Sequence, residues 1–258
     1  MKQYLIFNFK NNPQNLAQAK ELFKIYCSFD NSLFKKFHSV LMPPDIFLLA
    51  TKDNVSDKFL LGAQDVFWFN KIQATGEVTP KMLKTIGVDY ALIGHSERIH
   101  YLREDTSIIN LKLKACLSNR LTSILCVGET EKSRTEEILD FKTKQEIFDQ
   151  LNYSLRGVKL TKLMNLIIAY EPKWAIGKGK AQDMKSIEAV VSIIHFWLNR
   201  RFPDEDGQNI PVLYGGSVNS SNINDILLSK DIDGVLIGNA SINKQELRKL
   251  IKKLKNYG

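Results

Sequence analysis

The chain has 258 residues, 44% of them hydrophobic and 25% charged, and a net charge of +8. That is enough to bury roughly three quarters of the unfolded surface around one core without a disulfide or metal staple. Cys27, Cys116 and Cys126 are odd in number and lack CxxC spacing, and no stretch of about 18 apolar residues or leader-like segment occurs, so a cytoplasmic protein with reduced thiols is expected and secreted or membrane-spanning classes are excluded.

The first predicted strand, Tyr4–Phe9, carries Asn8-Phe9-Lys10 at its end. Period-two alternation sends Asn8 and Lys10 to one side and Phe7 and Phe9 to the other. If that side is the inside of a closed sheet, an ammonium sits at its mouth and needs an anionic partner. The plainer reading is a solvated strand-end lysine. A helix over Asn15–Tyr26 follows, then strands over Ser39–Met42 and Phe59–Ala63. Between Asp65 and Glu77 lie three consecutive aromatics, Phe67, Trp68 and Phe69, which call for burial in a partner or for local packing.

The fourth strand, Tyr90–Ile93, ends in Gly94-His95-Ser96-Glu97-Arg98. Glycine there permits close approach of another group, and Ser96 is placed to begin a short helix. A histidine just before a helix start has its imidazolium form disfavoured by the dipole, which leaves a neutral donor to a substrate oxygen. A satisfied structural histidine is the other reading. A helix over Ser107–Ser118, a strand over Thr122–Val127 and a helix over Glu136–Leu155 come next.

Strand six, Leu166–Tyr170, leads into Glu171-Pro172-Lys173-Trp174-Ala175-Ile176-Gly177-Lys178-Gly179-Lys180. A carboxylate at a strand end, a rigid proline and two glycines read as a base beside a moving lid, or as a salt-bridged glutamate in an ordinary connection. After the helix Met184–Arg200, the strand Pro211–Tyr214 runs into Gly215-Gly216-Ser217-Val218. The pattern Ser221–Leu228 is helical, and the strand Gly234–Ile237 opens into Gly238-Asn239-Ala240-Ser241. Paired glycines and a helix start offer main-chain N–H groups to an anion, and the last two turns of an α/β barrel are the frequent phosphate site. Leu247, Leu250, Ile251 and Leu254 fit one buried helix stripe, with Arg248, Lys249, Lys252, Lys253 and Lys255 on the solvated face, so no nucleic-acid partner is expected.

Eight β–α alternations without a linker predict a single (β/α)8 barrel over residues 1–258, with any chemistry at the C-terminal ends of its strands. These pieces, in this order, closely resemble the triosephosphate isomerase family. Asn8-Phe9-Lys10 is similar to the family's Asn-Trp-Lys signature, with Phe for Trp. Gly94 to Arg98 matches letter for letter; Tyr170-Glu171-Pro172 with Trp174 to Gly177 and Gly179-Lys180 matches the family's base and lid, and Tyr214 to Val218 one of its phosphate turns. Gly62-Ala63-Gln64, Thr75-Gly76-Glu77-Val78, Cys126-Val127-Gly128-Glu129 and Asp233-Gly234 through Gly238 fit too. Departures are Asp65 for Asn, Lys173 for an apolar residue, Lys178 and Ala181 for Thr, Gln182 for a small residue, and Asn239 for Gly.

The resemblance implies interconversion of dihydroxyacetone phosphate and D-glyceraldehyde 3-phosphate through an enediolate, in glycolysis and gluconeogenesis, with no metal or cofactor. It implies Glu171 as the base, neutral His95 as the electrophile, and Lys10, Asn8 and Glu97 as further catalytic residues. Gly177, Ser217, Gly238 and Asn239 would hold the phosphate. Pro172, Trp174, Ile176, Tyr214 and Leu236 would form or support the lid. A homodimer is implied, with Thr75 beside the partner's Lys10 and Glu77 beside the partner's Arg98. Two rival readings are another phosphate-binding barrel isomerase, which typically relies on aspartates or cysteines at strands one and five, and a basic surface-binding protein without catalysis.

Overall fold

The computed structural model describes residues 2–69, 72–130, 140–158, 165–173, 183–203 and 207–257. Eight parallel strands close into a barrel in sequence order: β1 (Gln3–Asn8), β2 (Phe37–Met42), β3 (Leu60–Ala63), β4 (Tyr90–Ile93), β5 (Thr122–Val127), β6 (Leu166–Tyr170), β7 (Val212–Tyr214) and β8 (Gly234–Ile237). The seam is the β1–β8 pairing, from Tyr4 opposite Gly234 to Phe7 opposite Ile237. Around the barrel run α1 (Leu16–Tyr26), α2 (Asn31–Lys36), α3 (Leu48–Asn54), α4 (Pro80–Thr85), α5 (Ser96–Leu102), α6 (Thr106–Ser118), α7 (Phe141–Ser154), α8 (Met184–Arg201), α9 (Ile223–Leu228) and α10 (Lys244–Lys255). The (β/α)8 expectation holds.

Strand alternation separates two cores. Leu5, Phe7, Leu125, Val127 and Ile168 point outward and pack beneath the helices, while Ile6, Val40, Met42, Leu92, Ile124, Cys126, Ile167, Ala169, Leu213 and Leu236 fill the interior. With both faces covered, every strand is apolar on both sides, as a parallel sheet requires. The inward side chains fill the barrel interior.

Capping fixes many helix starts. Asn15, Asp30, Thr79, Asp105, Asp140, Asp183 and Asn243 each accept a main-chain N–H from the first turn with their side chains. Three short helices, α2, α3 and α4, were not expected. They span only six or seven residues, too few for a periodic apolar stripe, and α2 and α4 are marked in sequence only by Asp30 and by Thr79-Pro80. The helix expected over Glu136–Leu155 begins at Phe141 after the Asp140 cap, and residues 136–139 lie outside the described residues. The helix expected from Ser221 begins at Ile223. β1 ends at Asn8 rather than Phe9, because Lys10 turns into the left-handed region at φ 53°.

Leu247, Leu250, Ile251 and Leu254 form the buried stripe of α10. Cys27 is exposed, Cys116 and Cys126 are buried, and all three are free thiols. Among the described residues no helix is long and apolar enough to cross a membrane.

Candidate active site

A cavity of about 320 Å³ opens where the strands end, lined by Lys10, His95, Glu171, Gly215 to Ser217, Leu236, Gly238 and Asn239 among others. Residues from five strand exits thus share one space, although up to 229 positions separate them in sequence (Lys10 to Asn239).

Glu171 continues the inward parity of Ile167 and Ala169, so strand alternation carries its carboxylate to the mouth. It is 2% exposed, and among the described residues no N–H or O–H group donates to either carboxylate oxygen. It faces His95, whose Nε2 is 3.4 Å from Glu171 Oε1. The Cys126 thiol faces the same carboxylate from the inner wall. Burial, and then the charge of Glu171, push that thiol well above its ordinary range, so Cys126 is a neutral wall residue and not a nucleophile.

His95 arrives differently. Ala91 and Ile93 point outward, and continued alternation would carry His95 outward as well. Gly94, at φ 72°, breaks the strand and turns the next residue toward the cavity. A Cβ at Gly94 would also lie 3.2 Å from the Ile109 side chain, so both conformation and space favour glycine there. The imidazole then caps α5: the Glu97 N–H donates to His95 Nδ1 at 3.3 Å. A ring that accepts at Nδ1 carries its proton at Nε2, the nitrogen that faces Glu171. This is the neutral tautomer, oriented as a donor.

Lys10 lines the same cavity. Its left-handed backbone is held by Asn8, whose Oδ1 accepts the Lys10 N–H at 2.9 Å, and by Gln64, whose Nε2 donates to the carbonyls of Lys10 and Met42 at 2.8 Å each. The Lys10 ammonium reaches Glu97 Oε1 at 2.5 Å. Glu97 therefore contributes twice, through its main chain to His95 and its carboxylate to Lys10. Asn8 and Lys10 do share the mouth, but a turn rather than strand alternation brings Lys10 there.

The two glycine-containing turns face the cavity from β7 and β8. Asn239 is not among the residues with positive φ; it opens a single 3-10 turn, Asn239–Ser241. The replacement of the family's glycine by Asn239 therefore carries no left-handed strain. Tyr214 is fully buried, Pro172 is buried, and Leu236 forms part of the cavity wall. Trp174, Ile176 and Gly177 lie outside the described residues.

Beside the first cavity, a second of about 480 Å³ shares Lys10 and His95 and is further lined by Asn8, Gln64, Glu97, Arg98, Tyr101 and Leu102. Behind it, Arg98 is bound from within the chain: Nη2 to Asp65 at 2.7 Å and Nε to Glu104 at 2.6 Å. Lys112 joins the same two carboxylates at 2.6 Å and 2.5 Å. Burial pushes Asp65 up to about 6, even though Lys112 and Arg98 pull it down. Phe67, Trp68 and Phe69 pack on one another, with the Lys112 ammonium 5.9 Å from the Trp68 ring; Phe69 remains 40% exposed. Thr75 and Glu77 are exposed farther along this loop.

Sequence reasoning had given no role to Gln64 or Cys126. For Cys126 the signal was available, since period-two counting along Thr122–Val127 puts it on the inward face with Ile124. For Gln64 there was none, because its two acceptors belong to other strands.

Comparison with known proteins agrees with this geometry. Residues 3–254 match the family model described as Triosephosphate isomerase. The chain is 38% identical over 217 residues to the triosephosphate isomerase of Thermoanaerobacter sp. (strain X514), covering 84% of this chain and 86% of that one. It is 41% identical over 191 residues to that of Trichodesmium erythraeum (strain IMS101), covering 74% and 73%. It is 35% identical over 255 residues to that of Mycoplasmoides gallisepticum, covering 98% of both chains. With a closed eightfold barrel, a buried glutamate facing a capped histidine, and a family match from the first strand into the last helix, the chain belongs to the triosephosphate isomerase family.

Proposed function

We propose that this chain interconverts dihydroxyacetone phosphate and D-glyceraldehyde 3-phosphate, with Glu171 moving a proton between neighbouring carbons. The observation that carries the reading is the 3.4 Å approach of His95 Nε2 to Glu171 Oε1 at the wall of one small cavity. A group that removes a carbon-bound proton and one that donates to the adjacent oxygen must flank the same two atoms. Glu171 removes the proton to give an enediolate and returns it to the other carbon. His95, protonated at Nε2, hydrogen-bonds the substrate oxygens and exchanges their proton. Lys10 and Asn8 stabilise the negative charge that develops there, with Glu97 holding both Lys10 and the imidazole in place.

A solvated glutamate is a feeble base toward carbon, and removing water strengthens it. The burial of Glu171, beside Cys126 and in a cavity wall that includes Leu236, favours this use. The phosphate is held by main-chain groups of Ser217, Gly238 and Asn239, joined by Gly177; its binding energy is available to orient the reacting end. The carbonyl of the substrate is its own electron sink, so the reaction needs no cofactor.

We assign the molecule to the cytoplasm and to a homodimer in which the loop carrying Thr75 and Glu77 covers the second cavity of its partner. The exposure of Phe69, Tyr101 and Leu102 favours that arrangement. Sedimentation at micromolar concentration tests it: a single 29.5 kDa species would overturn the dimer. A coupled assay with D-glyceraldehyde 3-phosphate tests the reaction. Glu171→Asp and His95→Gln are each expected to lower kcat by more than roughly 10²-fold. Near-native turnover in either variant would overturn the assignment.

A further inference from the structure

Among the described residues no N–H or O–H group donates to the carboxylate of Glu171, so its aim is set largely by its main chain. That main chain is gripped on either side of one glycine. The Glu171 N–H donates to the carbonyl of Val127 at 2.7 Å, and the Lys173 N–H donates to the carbonyl of Glu129 at 3.0 Å. Between them, Gly128 lies so close to Glu171 that a Cβ on it would stand 1.8 Å from the Glu171 carbonyl oxygen. There is no slack in this contact, and any shift of Gly128 is passed on to Glu171.

Gly128 is held in turn by one side chain of α7. Its N–H donates to Gln150 Oε1 at 2.9 Å, and Gln150 Nε2 donates back to its carbonyl at 2.9 Å. This two-point amide pairing holds the peptide groups on both sides of Gly128. One turn earlier, Glu146 Oε2 accepts from the N–H and the hydroxyl of Thr130 at 3.1 and 3.2 Å. Its other oxygen lies 3.6 Å from Lys173 Nζ. Positions 146 and 150 share a helix face, and together they hold both ends of the segment that brackets the base. Neither lines the cavity that contains Glu171.

We propose that Gln150, supported by Glu146, is a positioning residue for the reaction, acting through Gly128 on Glu171. α7 thereby decides where the carboxylate stands, although it contributes no group to the chemistry. The inference rests on the isomerase reading given above. A displacement of about an ångström at a reacting group can cost as much as 10²-fold in rate, so a brace of this kind has measurable leverage.

The test is steady-state kinetics of wild type, Gln150→Leu and Gln150→Glu with D-glyceraldehyde 3-phosphate, together with inhibition by inorganic phosphate and thermal unfolding. Leucine keeps the bulk and removes both hydrogen bonds. Glutamate keeps the acceptor for the Gly128 N–H and loses the donor. The expected result for Gln150→Leu is a fall in kcat of about tenfold or more, with KM and phosphate inhibition within about twofold, because the phosphate turns follow β7 and β8. Gln150→Glu should fall between the two, again in kcat alone. If Gln150→Leu does not fold, Gln150→Glu decides: a lowered kcat at unchanged KM supports the brace, and wild-type kcat overturns it. Native kcat in a folded Gln150→Leu also overturns it. So does a parallel loss of kcat, KM and phosphate inhibition, which marks a merely structural residue. An inactive wild type would remove the isomerase reading and this inference with it, whereas an active wild type with unaffected variants removes the inference alone.

Discussion

Glu171 and His95 meet 3.4 Å apart, yet strands β6 and β4 deliver them by opposite means. Glu171 follows the alternation of its strand and is braced by main-chain contacts on both sides. His95 violates the alternation of its strand, is turned inward by a left-handed glycine, and is then fixed by capping α5. The first arm depends on neighbours that cannot yield; the second depends on one backbone conformation. Behind the two arms the supports differ as well: the paired amide hydrogen bonds of Gln150, with Glu146 beside it, behind Glu171, and a largely buried ionic cluster of Asp65, Arg98, Glu104 and Lys112 behind α5. Two parts of one site can therefore be equally well ordered and still fail in different ways.

The contrast is broken most severely at Gly128. Gly128→Ala sets a Cβ 1.8 Å from the Glu171 carbonyl, backbone against backbone, where neither side can yield. Overpacking of this kind costs about 1–3 kcal/mol or more, and initial rates should fall by roughly 10²-fold or more alongside a lower denaturation midpoint. A native rate would mean that the two strand exits are not rigidly coupled.

Gly94→Ala probes the other arm and should cost less. Alanine at φ 72° carries a penalty of about 1–2 kcal/mol, but its close contact is the end of the Ile109 side chain, which can move. We expect roughly tenfold lower kcat, with stability reduced by about that penalty, measured by chemical denaturation and steady-state kinetics. A variant more damaged than Gly128→Ala would reverse the comparison.

The smallest effect on turnover is expected at the charged support. Asp65 has its carboxyl raised to about 6 by burial, so the folded state binds a proton that the unfolded state, near 3.8, has released. Its contribution is fully present below the unfolded value and is lost as pH rises through about 6. Unfolding free energy measured from pH 4 to 7 should therefore fall with pH by an amount on the order of 1–3 kcal/mol from this group. Asp65→Asn should flatten that slope while leaving kcat at pH 7.5 within about twofold, since neither Asp65 nor its partners Arg98 and Lys112 line the cavity that contains Glu171. An unchanged slope would show that Lys112 and Arg98 keep Asp65 ionised throughout.

What could be read in advance follows the same division. Residues placed by parity were legible: Asn8 and Glu171 are inward positions counted from Ile6 and from Ile167, and the eight apolar runs were long enough to show a closed parallel sheet. His95 was singled out by its place between a strand end and a helix start, and alternation sent Lys10 to the mouth although a turn brings it there; φ values of 72° at Gly94 and 53° at Lys10 leave no periodic trace. The short helices escaped for a related reason, having one cap and fewer than two turns to announce them.

By itself the sequence determined the barrel, the order of its strands and the chemical types gathered at their exits, since apolar periodicity and local capping act over a few residues. Tertiary structure alone decided that Gln150 would clamp Gly128, that Gln64 would reach across to Lys10 and Met42, and that Asp65 would lose enough water to hold its proton near pH 6. Those outcomes depend on which distant backbone groups and charges come within about 3 Å of each other, and how much solvent is excluded when they do, and neither quantity is encoded in any local stretch of residues.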